Sequence, residues 1–394
     1  MLELITFCFL ILAVVYYLLI RDVFHPSVIV CSFWSLLLLL YLFTNHPLWD
    51  LSDKFGIAIS FWVFPFSFFA FVCGRKPLIL EHSRNLYVNV RLFNNLFPYI
   101  IFLDLLFSLL IIYYAGGLSF VAIRRLLLVQ DLPPALNVLF YANTFITTYV
   151  FYGLLNFEFL DKRKVLLALV LLLIVSIFKS NKTSVLSIFI GLLYVLKIRH
   201  NLKIRYLLLV VIIIVGLLVL ISLNRGDFDF ESDGQIQNYL YIYLLSPLTA
   251  FDLLLNGDIV LDPGVWGSGT LAFLYKLINF FGGTLEISQL GTWVNVPLPT
   301  NVFTTMRGFY LDGGFLGIFI MSCVLGIIWG GLYAFQLARN KIFLLFYAMM
   351  LGSLFFQSFG DYFFYSFSMT LQYYVFSVIM ARGLIFKKRH NDSR

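Results

Sequence analysis

The sequence predicts an all-α integral membrane protein, a polytopic bundle of about eleven transmembrane helices with a large external loop. Two observations of composition carry this. The 394 residues are 61% hydrophobic and only 12% charged, and a mean hydropathy of +0.94 is too high for a water-soluble domain of this length. The third observation is spacing: runs close to the roughly twenty apolar residues that cross a hydrocarbon core recur from end to end, which selects helices over a barrel.

The spans fall near residues 2–20, 28–44, 55–73, 96–114, 138–157, 165–178, 183–197, 206–223, 309–335, 342–359 and 363–381. The first, LELITFCFLILAVVYYLLI, has no basic residue before it and no small-residue cleavage site after it, so it reads as a retained helix and not a signal peptide. The short pair flanking KSNKT reads as a helical hairpin. Cys8, Cys31, Cys73 and Cys323 all lie inside these spans, which argues against a disulfide framework or a thiolate zinc site. No soluble domain stands outside the bundle, so residues 1–394 read as one transmembrane domain.

Basic residues cluster in every second loop, and such loops face the cytoplasm. Nineteen fall on one side, including Arg75, Lys76, Lys162, Arg163, Lys164, Lys197, Arg339, Lys341 and the tail, against eight on the other. The N-terminus is therefore expected outside and the C-terminus inside. The net charge of +7 is a topology signal, not a nucleic-acid footprint. The same rule decides the status of IQNYLYIYLLSPLTAFDLLL, residues 236–255, which is long enough to suggest another crossing. Counting it would place Arg339 and Lys341 outside, and Pro247 and Asp252 interrupt it. Residues 224–306 thus read as one external loop whose apolar segments, 236–255 and 271–281, read as helices lying in the interface or dipping in and out. A smaller external loop covers 115–137 and carries Arg124 and Arg125.

The eight outward cations are Lys54, Arg124, Arg125, Lys179, Lys182, Arg225, Lys276 and Arg307. Arg225 follows span eight directly in SLNRGDFDFESDG, Arg307 directly precedes span nine in TTMRGFYLDGG, and Lys179 with Lys182 forms the KSNKTS turn. Four cations from three connections then share the outer edge of the hydrocarbon, the depth of a lipid diphosphate. Arginine stays ionised and offers paired donors to phosphate oxygens, while lysine adds a compact charge. Edge cations also snorkel to water and meet lipid phosphates without specificity, and the two readings stand side by side. Gly226 and Gly308 leave room for a head group to approach the backbone, Gly326 and Gly330 have the spacing of close helix packing, and the glycines near Asp312 allow a kinked start to span nine.

A general base is sought among Asp227, Asp229, Glu231, Asp233, Asp312 and Asp361, since a hydroxyl attacking an anomeric carbon needs its proton accepted. Asp312 lies about one and a half turns past Arg307, and Asp361 sits in the external turn QSFGDYFF. Each is equally readable as a solvated loop acid. The pair Asp227 and Asp229 invites comparison with metal-binding aspartates of sugar transferases, but it sits in a run of acids readable as calcium-binding or as merely solvated, and no metal is assigned. Tyr239, Tyr241, Tyr243, Trp266 and Trp293 suit sugar stacking and an interfacial belt alike.

The long late external loop bounded by Arg225-Gly226 and Arg307-Gly308, the hairpin FKSNKTSVLSIFIGL and the segment RGFYLDGGFLG together resemble the O-antigen polymerase (Wzy) family, the repeat-unit polymerases of bacterial surface polysaccharides. The resemblance covers most of the chain and rests on architecture. It implies inverting transfer, on the periplasmic face of the inner membrane, of a growing glycan from undecaprenyl diphosphate to an incoming lipid-linked repeat unit. It implies that Arg225, Arg307 and Lys182 stabilise the departing diphosphate; with the residue reading above, Arg225, Arg307, Asp312 and Asp361 are the expected catalytic residues and Lys179, Lys182, Arg124 and Arg125 the expected substrate-binding ones. It implies membrane lipids and a chain-length regulator as partners, with no nucleotide sugar and no soluble cofactor. Competing expectations are an O-antigen ligase-like enzyme, a glycosyltransferase using polyprenyl-phosphate sugars, and a flippase for the same lipid-linked glycans. The flippase should line a cavity with mid-span charges, whereas Asp104 is nearly alone there.

Overall fold

The computed structural model describes residues 1–77, 88–119, 122–123, 126–127, 133–178, 182–200, 244–262, 264–285, 293–297, 299–338 and 340–382. In chain order they form α1 (Leu2–Ile20), α2 (Pro26–Phe43), α3 (Asp53–Gly74), α4 (Val90–Ala115), α5 (Pro134–Leu155), α6 (Lys162–Phe178), α7 (Lys182–His200), α8 (Ser246–Asn256), α9 (Ala272–Phe280), α10 (Met306–Leu337), α11 (Lys341–Met350), α12 (Gly352–Phe355) and α13 (Phe367–Arg382). The strands β1 (Val294–Asn295) and β2 (Pro299–Thr300) pair antiparallel. Among the described residues, α1 to α5 and α10 are the six helices long and apolar enough to cross a bilayer. Thr183–Ile198, Lys341–Phe355 and Phe367–Ala381 are shorter apolar stretches. The chain is thus an α-helical membrane protein. The expected eighth span, 206–223, lies outside the described residues.

The chain divides into two compact units. The first comprises Met1–Leu78, Phe230–Ala338 and Ser353–Thr370; the second comprises Ile79–Asp229, Arg339–Gly352 and Leu371–Arg394.

In the first unit α3 and α10 pack along their lengths. A Cβ on Gly326 would stand 2.6 Å from the Phe66 carbonyl oxygen, and one on Gly330 would stand 2.6 Å from that of Ala70. Only glycine admits this approach, so the four-residue spacing places backbone against backbone. Within the same interface the Ser322 hydroxyl donates to the Trp62 carbonyl at 2.9 Å. Close packing and hydrogen bonding hold helices together where the hydrophobic effect cannot.

Residues 246–255 form a helix covered by protein: in α8 every residue from Ser246 to Asp252 is buried. The Asp252 carboxylate accepts the Ser52 amide at 2.9 Å and the Ser52 hydroxyl, and Lys54 donates to the Leu255 carbonyl at 3.2 Å. Hydropathy reads apolar residues the same way whether protein or lipid covers them. One element differs from the sequence expectation, span ten. Instead of one helix over 342–359, α11 stops at Met350, α12 adds one turn, and residues 356–366 form a loop. By contrast α9 keeps an exposed apolar face, with Leu277 and Ile278 outward and Phe280 81% exposed.

In the second unit Phe93 of α4 stacks on Tyr149 of α5 with ring centroids 4.3 Å apart, and the Tyr149 hydroxyl donates to the Phe93 carbonyl at 2.9 Å. Gly191 of α7 lies against the Phe151 ring and the Ala348 carbonyl, allowing α7 to press on α11. Asp104 is buried within α4.

Candidate functional site

A cavity of about 410 Å³ opens in the first unit. Two loops build it. Residues 301–305 lead into α10, and residues 359–366 lead into α13; Arg307 lines the cavity from the first turn of α10 and Asp361, Tyr362 and Tyr365 line it from the second loop.

Gln357 clasps these loops. Its side-chain oxygen accepts the indole N–H of Trp34 at 2.8 Å and that of Trp62 at 2.9 Å, while its backbone carbonyl accepts the Thr305 amide at 2.7 Å. Trp34 and Trp62 are fully buried, so each indole needs a partner there. One residue within the apolar run SLFFQSF therefore ties α2 and α3 to both loops, by its side chain to the helices and by its backbone to Thr305. Below, the Phe309 ring stacks on Trp62 with centroids 5.5 Å apart.

Arg307 is only 6% exposed. The sequence places it just before a helix, whereas it is the second residue of α10, its amide donating to the Thr304 carbonyl at 3.1 Å. Its guanidinium carbon lies 4.6 Å from the centroid of the Phe303 ring, a cation–π contact that orients the fork at the cavity wall. Tyr365 lines the same cavity. Thr304 lines the same cavity, and its buried hydroxyl oxygen has no hydrogen-bond partner among the described residues.

Asp361 faces three successive amides. Oδ1 accepts from Phe363 at 2.8 Å and from Phe364 at 3.2 Å; Oδ2 accepts from Phe364 at 3.1 Å and from Tyr365 at 3.0 Å. The carboxylate thereby shapes the turn that carries Tyr365. Burial pushes its pKa up to about 6, against the opposing pull of those amides. A base used in this geometry would have to release part of the turn.

Asp312 is placed differently from Asp361. It accepts the amides of Gly267 at 3.0 Å, Gly269 at 3.3 Å and Thr270 at 2.7 Å, which makes the 267–270 loop a nest of donors around an internal carboxylate. That loop abuts the cavity: Gly269 and Gly308 both line it, and a Cβ on Gly269 would meet the Gly308 carbonyl at 2.9 Å. Gly308 thus makes room for the Gly269 backbone, where the sequence suggested room for a head group. Directly after Asp312 the helix breaks, with Gly313 at φ −150°, ψ 16° and Gly314 at φ 59°, ψ −148°.

Of the residues singled out in the sequence, Arg307 and Asp361 meet at one cavity and Asp312 secures the loop beside it. Arg225, Lys179, Arg124 and Arg125, together with Asp227 and Asp229, lie outside the described residues, as does the side chain of Lys182, the first residue of α7. Sequence reading missed Tyr365 and Gln357. Tyrosine is too common at bilayer interfaces to stand out, but Gln357 carried a usable signal, a lone amide in an apolar stretch.

No family model matches the chain, and neither the curated proteins nor the solved structures contain a match to it.

Proposed function

We propose that the protein polymerises undecaprenyl-diphosphate-linked oligosaccharide repeat units on the periplasmic face of a bacterial inner membrane, with Arg307 binding the diphosphate that leaves. The observation that carries this reading is the buried Arg307 guanidinium on the wall of a 410 Å³ cavity, at the head of a helix of membrane-spanning length. That volume falls within the range of small-molecule sites. A guanidinium keeps its charge and presents forked donors suited to phosphate oxygens. The flanking aromatics Phe303, Tyr362 and Tyr365 suit the apolar faces of sugar rings.

In glycosyl transfer the departing diphosphate gains charge in the transition state. A preorganised cation in a partly dry cavity stabilises that charge more than it stabilises the ground state. Eleven crossings, an external N-terminus and a cytoplasmic C-terminus complete the proposal, and they put the cavity on the outer face.

The test is reconstitution of purified protein with purified lipid-linked repeat unit as the sole substrate. A ladder of lengthening glycans is expected from the wild type. Arg307→Ala should lower turnover by on the order of a hundredfold or more. Transfer only to a different lipid acceptor would identify a ligase, and movement of the intact substrate across the membrane without glycan growth would identify a flippase. Full ladder formation by a correctly inserted Arg307→Ala protein would overturn the assignment.

A further inference from the structure

Beside Arg307, the cavity wall carries a second polar group, the phenol of Tyr365. It is held from two directions and shares the cavity wall with Arg307. Its backbone amide donates to Asp361 Oδ2 at 3.0 Å, and the ammonium of Lys276 lies 5.2 Å from its ring centroid. Lys276 comes from α9, so the tyrosine is braced by an element outside the two cavity loops.

Burial raises the phenol's pKa, and the charge of Arg307 offsets only part of that rise. At neutral pH the group is therefore an O–H donor and not a phenolate. Next to a fixed cation, a neutral donor is well suited to an oxyanion. It adds a hydrogen bond without the desolvation cost of a second buried charge. It also adds no charge repulsion with Arg307.

We propose that Tyr365 donates its phenolic O–H to the same phosphate-type oxyanion that Arg307 binds, with Lys276 holding the ring in place. This deepens the reading of the cavity as a diphosphate site and rests on it. The ligand class is a phosphate or diphosphate anion, whether free or borne by a lipid.

Tyr365→Phe separates this role from wall packing, because phenylalanine keeps the ring and its contact with Lys276 and removes only the oxygen. Binding of inorganic pyrophosphate and of farnesyl diphosphate to the full-length protein in detergent would be measured by calorimetry, alongside thermal unfolding. Tyr365→Phe is expected to weaken both ligands about tenfold at an unchanged unfolding midpoint, as befits one hydrogen bond to a charged group. Arg307→Ala is expected to weaken both by more. Lys276→Met, which frees the ring but leaves the hydroxyl, is expected to cause a smaller loss than Tyr365→Phe.

Wild-type affinity in Tyr365→Phe, with binding lost in Arg307→Ala, would overturn the tyrosine assignment and leave the diphosphate site standing. Undiminished binding in Arg307→Ala would overturn both. Tighter farnesyl diphosphate than pyrophosphate binding would identify a lipid-borne anion as the ligand; equal affinities would identify the free anion.

Discussion

Arg307 and Asp361 bring opposite charges to one cavity, and their surroundings give them different work. Arg307 stands against an aromatic face at the cavity wall, where it brings a positive charge. Asp361 has its oxygens turned to backbone amides, so it acts first on the shape of the wall. Its pKa near 6 lies above that of a carboxyl in the unfolded chain, so the native state holds a proton that the unfolded state releases. The resulting stabilisation is complete below the unfolded pKa and disappears as pH rises through about 6. Thermal unfolding of the wild type relative to Asp361→Asn should accordingly lose a few degrees between pH 4 and pH 7. Parallel curves would contradict the raised pKa. Thr304 permits a sharper separation of structure from binding. Valine at 304 removes a buried hydroxyl that has no partner among the described residues, so Thr304→Val should be neutral or stabilising by about 1 kcal/mol. A loss of pyrophosphate affinity in that variant would show instead that the hydroxyl serves a ligand. Arg307 was singled out from sequence because it stands directly before an apolar run with a glycine beside it. Tyr365 was not, since its importance comes from Arg307, Lys276 and Asp361, which only the fold brings to it.

At the level of elements, the first turns of α10 work as a clamp. Asp312 holds the 267–270 loop through three amides, Gly308 and Gly269 allow the backbones to touch, and the break at Gly313 and Gly314 follows at once. Gly314 combines φ 59° with ψ −148°, a region closed to side chains, so Gly314→Ala should destabilise the first unit by about 1–3 kcal/mol. The cause would be conformational and not steric, because a Cβ at Gly314 would meet nothing within 4 Å. Asp312→Asn leaves one acceptor oxygen where two serve three donors. Hydrogen exchange at Gly267, Gly269 and Thr270 should accelerate at least tenfold, while exchange in α3 stays unchanged. Uniform acceleration would mean that Asp312 supports the whole unit and not this loop. The glycine pair made a kinked start to span nine readable in advance. The use of Asp312 was hidden, because its partners are backbone amides more than forty residues earlier, and amides leave no mark on composition.

For the molecule as a whole, hydropathy located nearly every described apolar helix, since lipid selects length and apolar content directly. It does not distinguish cover by protein from cover by lipid, as at α8, and it missed the place where a run is cut to form a cavity wall, after α11. Orientation depends on a separate signal, the distribution of lysine and arginine, and it decides whether the Arg307 cavity faces the compartment proposed for its substrate. The first unit is sufficient to test it. Asp50 precedes α3, Pro77 follows it, and Asp262 lies in the loop between α8 and α9; all three are exposed. The native cysteines Cys8, Cys31, Cys73 and Cys323 are buried or partly buried, and replacing them with alanine gives a silent background. Single cysteines at 50 and 262 should then react with a membrane-impermeant maleimide in intact spheroplasts. A cysteine at 77 should react only after the membrane is opened. Were 262 to share the behaviour of 77 while 50 remained accessible, the loop before α10 would lie in the cytoplasm. Arg307 could not then meet a diphosphate presented on the outer leaflet, and the polymerase proposal would fall even with its cavity chemistry intact.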